Sequence, residues 1–260
     1  VDKPAIQYIV EEAFASGIEE VLIITNRNKG AIEDHFDHSY ELEDKLKGNE
    51  SKKKIYEDVL ACSNFGNIYF LRQKETKGLG HAVLCAKNFV GNEPFAVLYG
   101  DDVILSETPC TKQLCDAYEK YGKGVVGVKE VPGMAITKYC SLKTEPLEGN
   151  CYTCSDMIEK PKPEEIMGNF SILGRVVLPP QIFDILEKTP LGAGNELQLT
   201  DAMKTLAQTD GVVAVDYEGV RYDMGNKFGI LQANIEVGLK HPETKEELKA
   251  YLKKIAADLD

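Results

Sequence analysis

The residues that can do chemistry in this chain sit at the ends of apolar runs. Leu98-Tyr99-Gly100-Asp101-Asp102 closes one such run on two acids. Carboxylates at the C-terminal end of a buried strand face the crevice where open α/β sheets bind ligands. Mg2+ suits such a place, because it keeps most of its water and takes one or two carboxylates plus substrate phosphates. The plainer alternative has Asp101 or Asp102 capping the next segment. Residues 77–82 (KGLGHA) lead into a helix. Their glycines permit close approach of backbone to a ligand, and the helix start offers N–H donors; an ordinary tight turn would use the same glycines. Glu159-Lys160-Pro161-Lys162-Pro163 follows a strand. The prolines stiffen the exit and can hold Glu159 and Lys160 in fixed directions. A carboxylate for sugar hydroxyls beside a lysine for phosphate suits a sugar phosphate, and a charged loop start is the competing reading. Asp223, in Tyr222-Asp223-Met224-Gly225-Asn226-Lys227, is either a second Mg2+ ligand or the cap of the following helix. Thr200 and Asp201, after the glycine-rich residues 192–194, suit a helix cap and first turn.

The elements that must position these residues alternate. Ile6, Ile9, Val10, Ala13 and Phe14 recur at helical spacing and predict a helix over 4–16, stopped by Gly17. Short apolar strands are expected at 20–25, 68–71, 95–99 and 124–131, with helices at 81–88 and 107–121 and a charged helical excursion over 31–62. That alternation argues for a parallel sheet covered on both faces. The middle departs from it. A hairpin over 139–144 and 154–160, turning near Glu148-Gly149-Asn150, and a long strand over 169–178 imply added antiparallel strands. Helices at 180–188, 200–209, 227–239 and 243–257, with a strand at 212–217, complete the pattern. The chain opens on a helix, whereas such sheets normally open on a strand whose loop grips phosphates.

Composition narrows the function. The 260 residues carry a net charge of −12, the wrong sign for wrapping nucleic acid. No run approaches the roughly 18 apolar residues of a membrane span, and the first residues are no signal peptide. Seven cysteines, an odd number, read as reduced cytosolic thiols. Cys151 and Cys154 have CxxC spacing, but no second pair accompanies them and no helix follows, so neither zinc nor redox chemistry is expected. His35 and His38 read as surface helix residues. No Ser/His/Asp or Cys/His constellation suggests a covalent intermediate.

Taken in order, Val1-Asp2-Lys3-Pro4, KGLGHA at 77–82, Asp101-Asp102, Glu159-Lys160-Pro161, GAGNELQLTDA at 192–202 and DMGNK at 223–227 resemble the bacterial UTP–glucose-1-phosphate uridylyltransferases over essentially the whole chain. KGLGHA and GNELQLTDA resemble these more than the related thymidylyl- and adenylyltransferases. The resemblance implies a Rossmann-like nucleotide-diphospho-sugar transferase fold, α/β, with a mixed, mostly parallel central sheet and helices on both faces. It implies one nucleotidyltransferase domain over 1–260, with an antiparallel sugar-binding subregion over 132–180. The family's Gly-rich phosphate-gripping signature and first strand would lie upstream of Val1, so a truncated form that only binds nucleotide sugar is one expectation. By resemblance, UTP and glucose 1-phosphate are substrates, UDP-glucose is the product, Mg2+ is the cofactor, and the protein is a cytoplasmic homodimer or homotetramer. Carried over by position, Gln73 and Gly78 would contact uracil, Asp101 and Asp223 would hold Mg2+, Glu159 and Asn169 would bind glucose hydroxyls, and Lys160 the sugar phosphate. A related enzyme using dTTP or ATP is the nearest rival. Two departures stand inside the chain: Cys140 replaces a common glycine at the expected pocket edge, and Tyr99-Gly100 replaces a common Leu-Pro.

Overall fold

The apolar periodicities become elements much as their spacing dictates. The computed structural model describes residues 1–259. Helix α1 (Ala5–Ala15) buries Ile9, Val10 and Ala13, and Gly17 ends it at φ +86°. Strand β1 (Glu20–Thr25) follows, then α2 (Gly30–Phe36), α3 (Tyr40–Leu46), α4 (Lys53–Ser63) and β2 (Asn67–Arg72). Next come α5 (Leu79–Cys85), α6 (Lys87–Val90), β3 (Phe95–Leu98), β4 (Asp102–Leu105), α7 (Cys110–Tyr121) and β5 (Gly124–Glu130). The hairpin β6 (Cys140–Glu148) and β7 (Cys151–Glu159) leads to β8 (Phe170–Leu178), α8 (Ile182–Leu186), α9 (Leu199–Thr209) and β9 (Val212–Asp216). The chain then forms β10 (Val220–Asp223), α10 (Lys227–Gly238) and α11 (Lys245–Leu259).

Six strands form one mixed sheet in the order β3-β8-β5-β9-β7-β6. Strand β8 runs antiparallel to both its neighbours, β3 and β5, while β5 and β9 pair in parallel. The helix-connected strands β3, β5 and β9 therefore share one direction, and β8 is the inserted reverse strand. The β6–β7 hairpin extends the same sheet through β9. Its turn is formed by Gly149 at φ +58° and is lashed to β9, since Asn150 both donates to and accepts from Asp216 backbone at 3.0 and 2.9 Å. The sheet is buried on one side by α8 and α9 (Phe183, Leu186, Met203, Leu206) and on the other by α7 (Leu114) and Tyr217.

Two short pairings stand apart. Strands β1 and β2 pair in parallel, and β4 pairs antiparallel with β10. The second pair was not foreseen. Instead of one strand ending on acids, the chain turns after β3, Asp102 N–H donating to the Tyr99 carbonyl at 3.2 Å, and restarts as β4. Four-residue strands paired across more than a hundred residues leave little periodic signal.

Strands β1 and β3 do not pair with each other. Between them lies a cavity of about 1040 Å³ lined by residues 21–25, Phe95–Leu98, α1 and α5. The β1–β2 unit has its own core, Val10, Ile23 and Phe36 with Phe14, Phe65 and Phe70 around it.

A buried ion pair spans the interruption. Arg175 of β8 is 1% exposed and donates to both Glu12 carboxylate oxygens of α1, at 3.0 and 2.7 Å. Glu12 also accepts from the Thr111 N–H and hydroxyl at the start of α7, at 3.0 and 2.6 Å. Among the described residues no helix is long and apolar enough to cross a membrane. Removing one member of a satisfied buried pair costs about 3–5 kcal/mol. Glu12→Ala should therefore lower urea-unfolding stability by about that amount, whereas Glu12→Leu with Arg175→Met should cost less than either single change.

Candidate active site

The tight turn after β3 separates the two adjacent acids. Asp102 points inward, 3% exposed, with its carboxylate 2.6 Å from an Arg221 nitrogen. Burial pushes the Asp102 carboxyl above the usual carboxylate range, and Arg221 works against that shift. Its carbonyl accepts from Arg175 at 3.0 Å. Asp101 stays exposed, and its carbonyl accepts the Met224 N–H at 2.7 Å, which ties it to the end of β10. The antiparallel register sets Asp223 opposite Asp102.

Asp101 and Asp223 converge on Gly225. A Cβ there would lie 3.0 Å from Asp223 Oδ1 and 3.4 Å from Asp101 Oδ2. Only glycine leaves this space open. Asp223 Oδ1 also accepts the Gly225 N–H at 2.9 Å. The cap of α10 is Asn226, which accepts the Gly229 N–H at 2.7 Å, so Asp223 is not the helix cap. Asp101 and Asp102 cap no helix either, since β4 follows them. Among the described residues no three His, Cys, Asp or Glu side chains gather as a cation cage. Two carboxylates around a small open space fit a hard divalent cation that fills its other positions with water and phosphate oxygens.

The end of β7 brings a second group. Glu159 Oε2 accepts the Thr200 hydroxyl at 2.8 Å. Thr200 is thus not the helix cap expected of it: that position belongs to Gln198, and Thr200 lies in the first turn. One turn and two turns further along α9, Lys204 and Gln208 reach Asp156 of the same strand at 3.3 and 3.2 Å. The spacing of four fixes α9 across β7 and aims Thr200 at Glu159. Lys160, next in line, has φ +46°, a left-handed conformation costly for a residue with a Cβ. Its N–H donates to the Tyr139 carbonyl at 2.7 Å, and such strain in an ordered segment marks functional sites. Asn169 is exposed just before β8, its carbonyl accepting the Val131 N–H at 2.8 Å.

Tyr99 accepts the Asp102 N–H on its carbonyl and packs against the core of the six-stranded sheet. Burial pushes its phenol far up, and Cys140, Glu159, Asp102 and Asp101 reinforce that. Gln73 follows β2. Its backbone N–H donates to the Thr25 carbonyl at 2.8 Å, and its side chain reaches the Gly78 carbonyl at 3.2 Å and His81 at 2.8 Å. Gln73 and Asp101 line the same cavity. The glycines of KGLGHA serve the chain itself. A Cβ on Gly78 (φ +93°) or Gly80 would strike the Leu197 carbonyl, at 2.8 and 2.7 Å, and Gly80 N–H donates to that carbonyl at 2.9 Å. The 77–80 and 195–197 segments are locked together, which explains why both motifs occur in one chain.

Other candidates fall away. Cys140 is 3% exposed, with its sulfur in the core beside Ser171 and the Ile172 N–H, so its side chain does not edge a pocket. Cys154 packs into the core beneath α9, while Cys151 packs on the opposite side of β7, so this CxxC cannot close a disulfide. His35 pairs with Gln7 at 3.1 Å and His38 with Glu43 at 3.0 Å.

A mixed sheet with acids converging at strand ends is the architecture of a nucleotide-transferring α/β enzyme. The nucleotidyl transferase family profile matches residues 1–238, and the chain belongs to that family. Within it, the chain is 49% identical over 255 residues to the UTP–glucose-1-phosphate uridylyltransferase YngB of Bacillus subtilis, covering 98% of this chain and 86% of that protein. The fold is similar to UDP-glucose pyrophosphorylase complexed with UDP-glucose, with TM-score 0.81 and 38% identity over 98% of this chain and 88% of that one. It is equally similar to a UTP-bound UGPase from Acinetobacter baumannii, with TM-score 0.84 and 35% identity over 97% and 88% of the two chains.

Filling the open space at Gly225 should weaken cation binding without unfolding the chain. Gly225→Ala is expected to raise the Mn2+ dissociation constant about tenfold, consistent with displaced ligand geometry. Electron paramagnetic resonance of free Mn2+ measures it, and thermal unfolding should shift by no more than a few degrees.

Proposed function

We propose that the chain transfers the uridylyl group of UTP to glucose 1-phosphate, releasing UDP-glucose and pyrophosphate. The observation that carries the site assignment is the convergence of Asp101 and Asp223 on Gly225. In the reaction, a phosphate oxygen of glucose 1-phosphate attacks the α-phosphorus of UTP in line, and pyrophosphate leaves. The attacker is already anionic, so the protein supplies position and charge and no nucleophile. The buried thiols suit that reading: burial pushes Cys140 up to about 11 and Cys154 to about 12, leaving neither as a thiolate.

Asp101 and Asp223 hold Mg2+, which when bound supplies neutralisation of phosphate charge. Glu159, oriented by the Thr200 hydroxyl, accepts glucose hydroxyls, and Asn169 offers its amide to the same sugar. Lys160, held by its strained backbone and the Tyr139 carbonyl, places an ammonium on the sugar phosphate. Gln73, with its amide fixed between the Gly78 carbonyl and His81, presents itself and Gly78 to uracil. The protein works in the cytoplasm, where its seven free cysteines stay reduced. Helix α10 exposes Phe228, Leu231 and Ile235 (68%, 58% and 37%) along one stripe, a surface suited to a homodimer or homotetramer.

Pyrophosphate release with UTP, dTTP or ATP beside glucose 1-phosphate tests the reaction. UTP should be preferred by kcat/KM. Equal or better rates with dTTP or ATP overturn the nucleotide assignment, and UDP-glucose binding without any release marks this chain as a binder only. Asp101→Asn should lower kcat by about 100-fold or more, the scale of losing one preorganised electrostatic group. Thr200→Val should raise KM for glucose 1-phosphate about three- to tenfold, matching one hydrogen bond of about 0.5–1.5 kcal/mol.

A further inference from the structure

Three carboxylates crowd the end of the β4–β10 pair, and the cation set among them is Arg221. Its side chain is 17% exposed and lies 2.6 Å from Asp102 Oδ1 and 3.7 Å from Asp223 Oδ2. Arg221 and Asp223 share one face of β10, two residues apart, and the register brings Asp223 against Asp102 on β4. The guanidinium carbon also stands 5.8 Å from the centre of the Tyr139 ring. Tyr139 in turn holds the Lys160 backbone through its carbonyl at 2.7 Å. One planar group thus pairs with Asp102, the buried neighbour of Asp101, reaches toward a carboxylate of the cation pair, and stands by the residue whose carbonyl holds the Lys160 backbone. Its Nε carries no hydrogen bond to a protein atom, although it is buried.

We propose that Arg221 is a positioning residue for this reaction. It pairs off the buried Asp102, so that Asp101 and Asp223 alone face the cation, and it braces Asp223 and the Tyr139 ring in a fixed relation. This rests on the reading of Asp101 and Asp223 as the cation pair. A lysine preserves the charge at this place but lacks the fork that spans two carboxylates and the flat face that meets a ring. Electrostatics being kept, Arg221→Lys reads out geometry. Groups that orient cation ligands without binding the cation typically account for about 10–100-fold in affinity or activity.

The test compares wild type, Arg221→Lys, Arg221→Gln and Asp223→Asn. Mn2+ binding is followed by electron paramagnetic resonance without substrates, and turnover is measured with UTP and glucose 1-phosphate. For Arg221→Lys the Mn2+ dissociation constant should rise about tenfold and kcat fall about 10–100-fold. KM for glucose 1-phosphate should stay within about twofold and the unfolding midpoint should be nearly unchanged, with Arg221→Gln at least as slow. Mn2+ affinity per folded molecule equal to wild type in Arg221→Lys overturns the proposal, whether or not kcat falls and even where Arg221→Gln fails to fold. If Asp223→Asn keeps wild-type Mn2+ affinity, the cation-pair reading fails, and this inference falls with it. If Asp223→Asn loses Mn2+ while Arg221→Lys keeps it, only the role of Arg221 is wrong.

Discussion

The bond on which the arrangement depends is the buried pairing of Glu12 with Arg175. The β1–β2 unit shares no strand pairing with the six-stranded sheet and has a core of its own. Glu12 reaches from that unit to β8 and to the first turn of α7 at once. Two buried charges are costly to desolvate, and here every oxygen of the carboxylate is met by a donor, which is the condition under which such a pair is tolerated. Arg175 spends two further donors on the carbonyls of Gly174 and Asp102, at 2.9 and 3.0 Å. The same guanidinium therefore joins two substructures and sets the backbone of the acidic turn.

From that turn the site is assembled by backbone hydrogen bonds more than by side chains. Asp101 is tied to Met224, Asp102 to Tyr99, Lys160 to Tyr139 and Gln73 to Thr25. These backbone bonds fix the strand ends from which the functional side chains project. Positions where this demands an unusual backbone are few. Lys160 is one, and the neighbouring carbonyl and the prolines at 161 and 163 hold it there against its preference.

Periodicity made the helices and long strands legible. Residues 20–25 and 124–131, for instance, are apolar runs of strand length, and β1 and β5 form there. What the spacing could not carry were facts of distant pairing. Strands β4 and β10 are four residues each and exist because they meet each other. Thr200 looked like a cap because caps are local, whereas its bond to Glu159 joins positions 41 residues apart. Arg221 carried no signal at all: it lies in no motif, and only the β10–β4 register brings it to the acids. The candidate residues of the site were legible as motifs, yet which of the adjacent acids faces outward was decided by Arg175 and Arg221, both remote in sequence.

A chain with a net charge of −12 that handles phosphates must keep its acidity from repelling its ligands. The fold does so by giving each site carboxylate a defined opponent. Glu12 and Asp102 are neutralised internally by arginines, and Glu159 is turned toward a hydroxyl. Asp101, and Asp223 with only its longer 3.7 Å contact to Arg221, are left facing a space that a single methyl group would fill. The two arginines therefore do more than hold the core together: they neutralise the buried carboxylates next to Asp101 and Asp223. Charge selectivity in this site follows from which acids the core neutralises and which it leaves for the ligand.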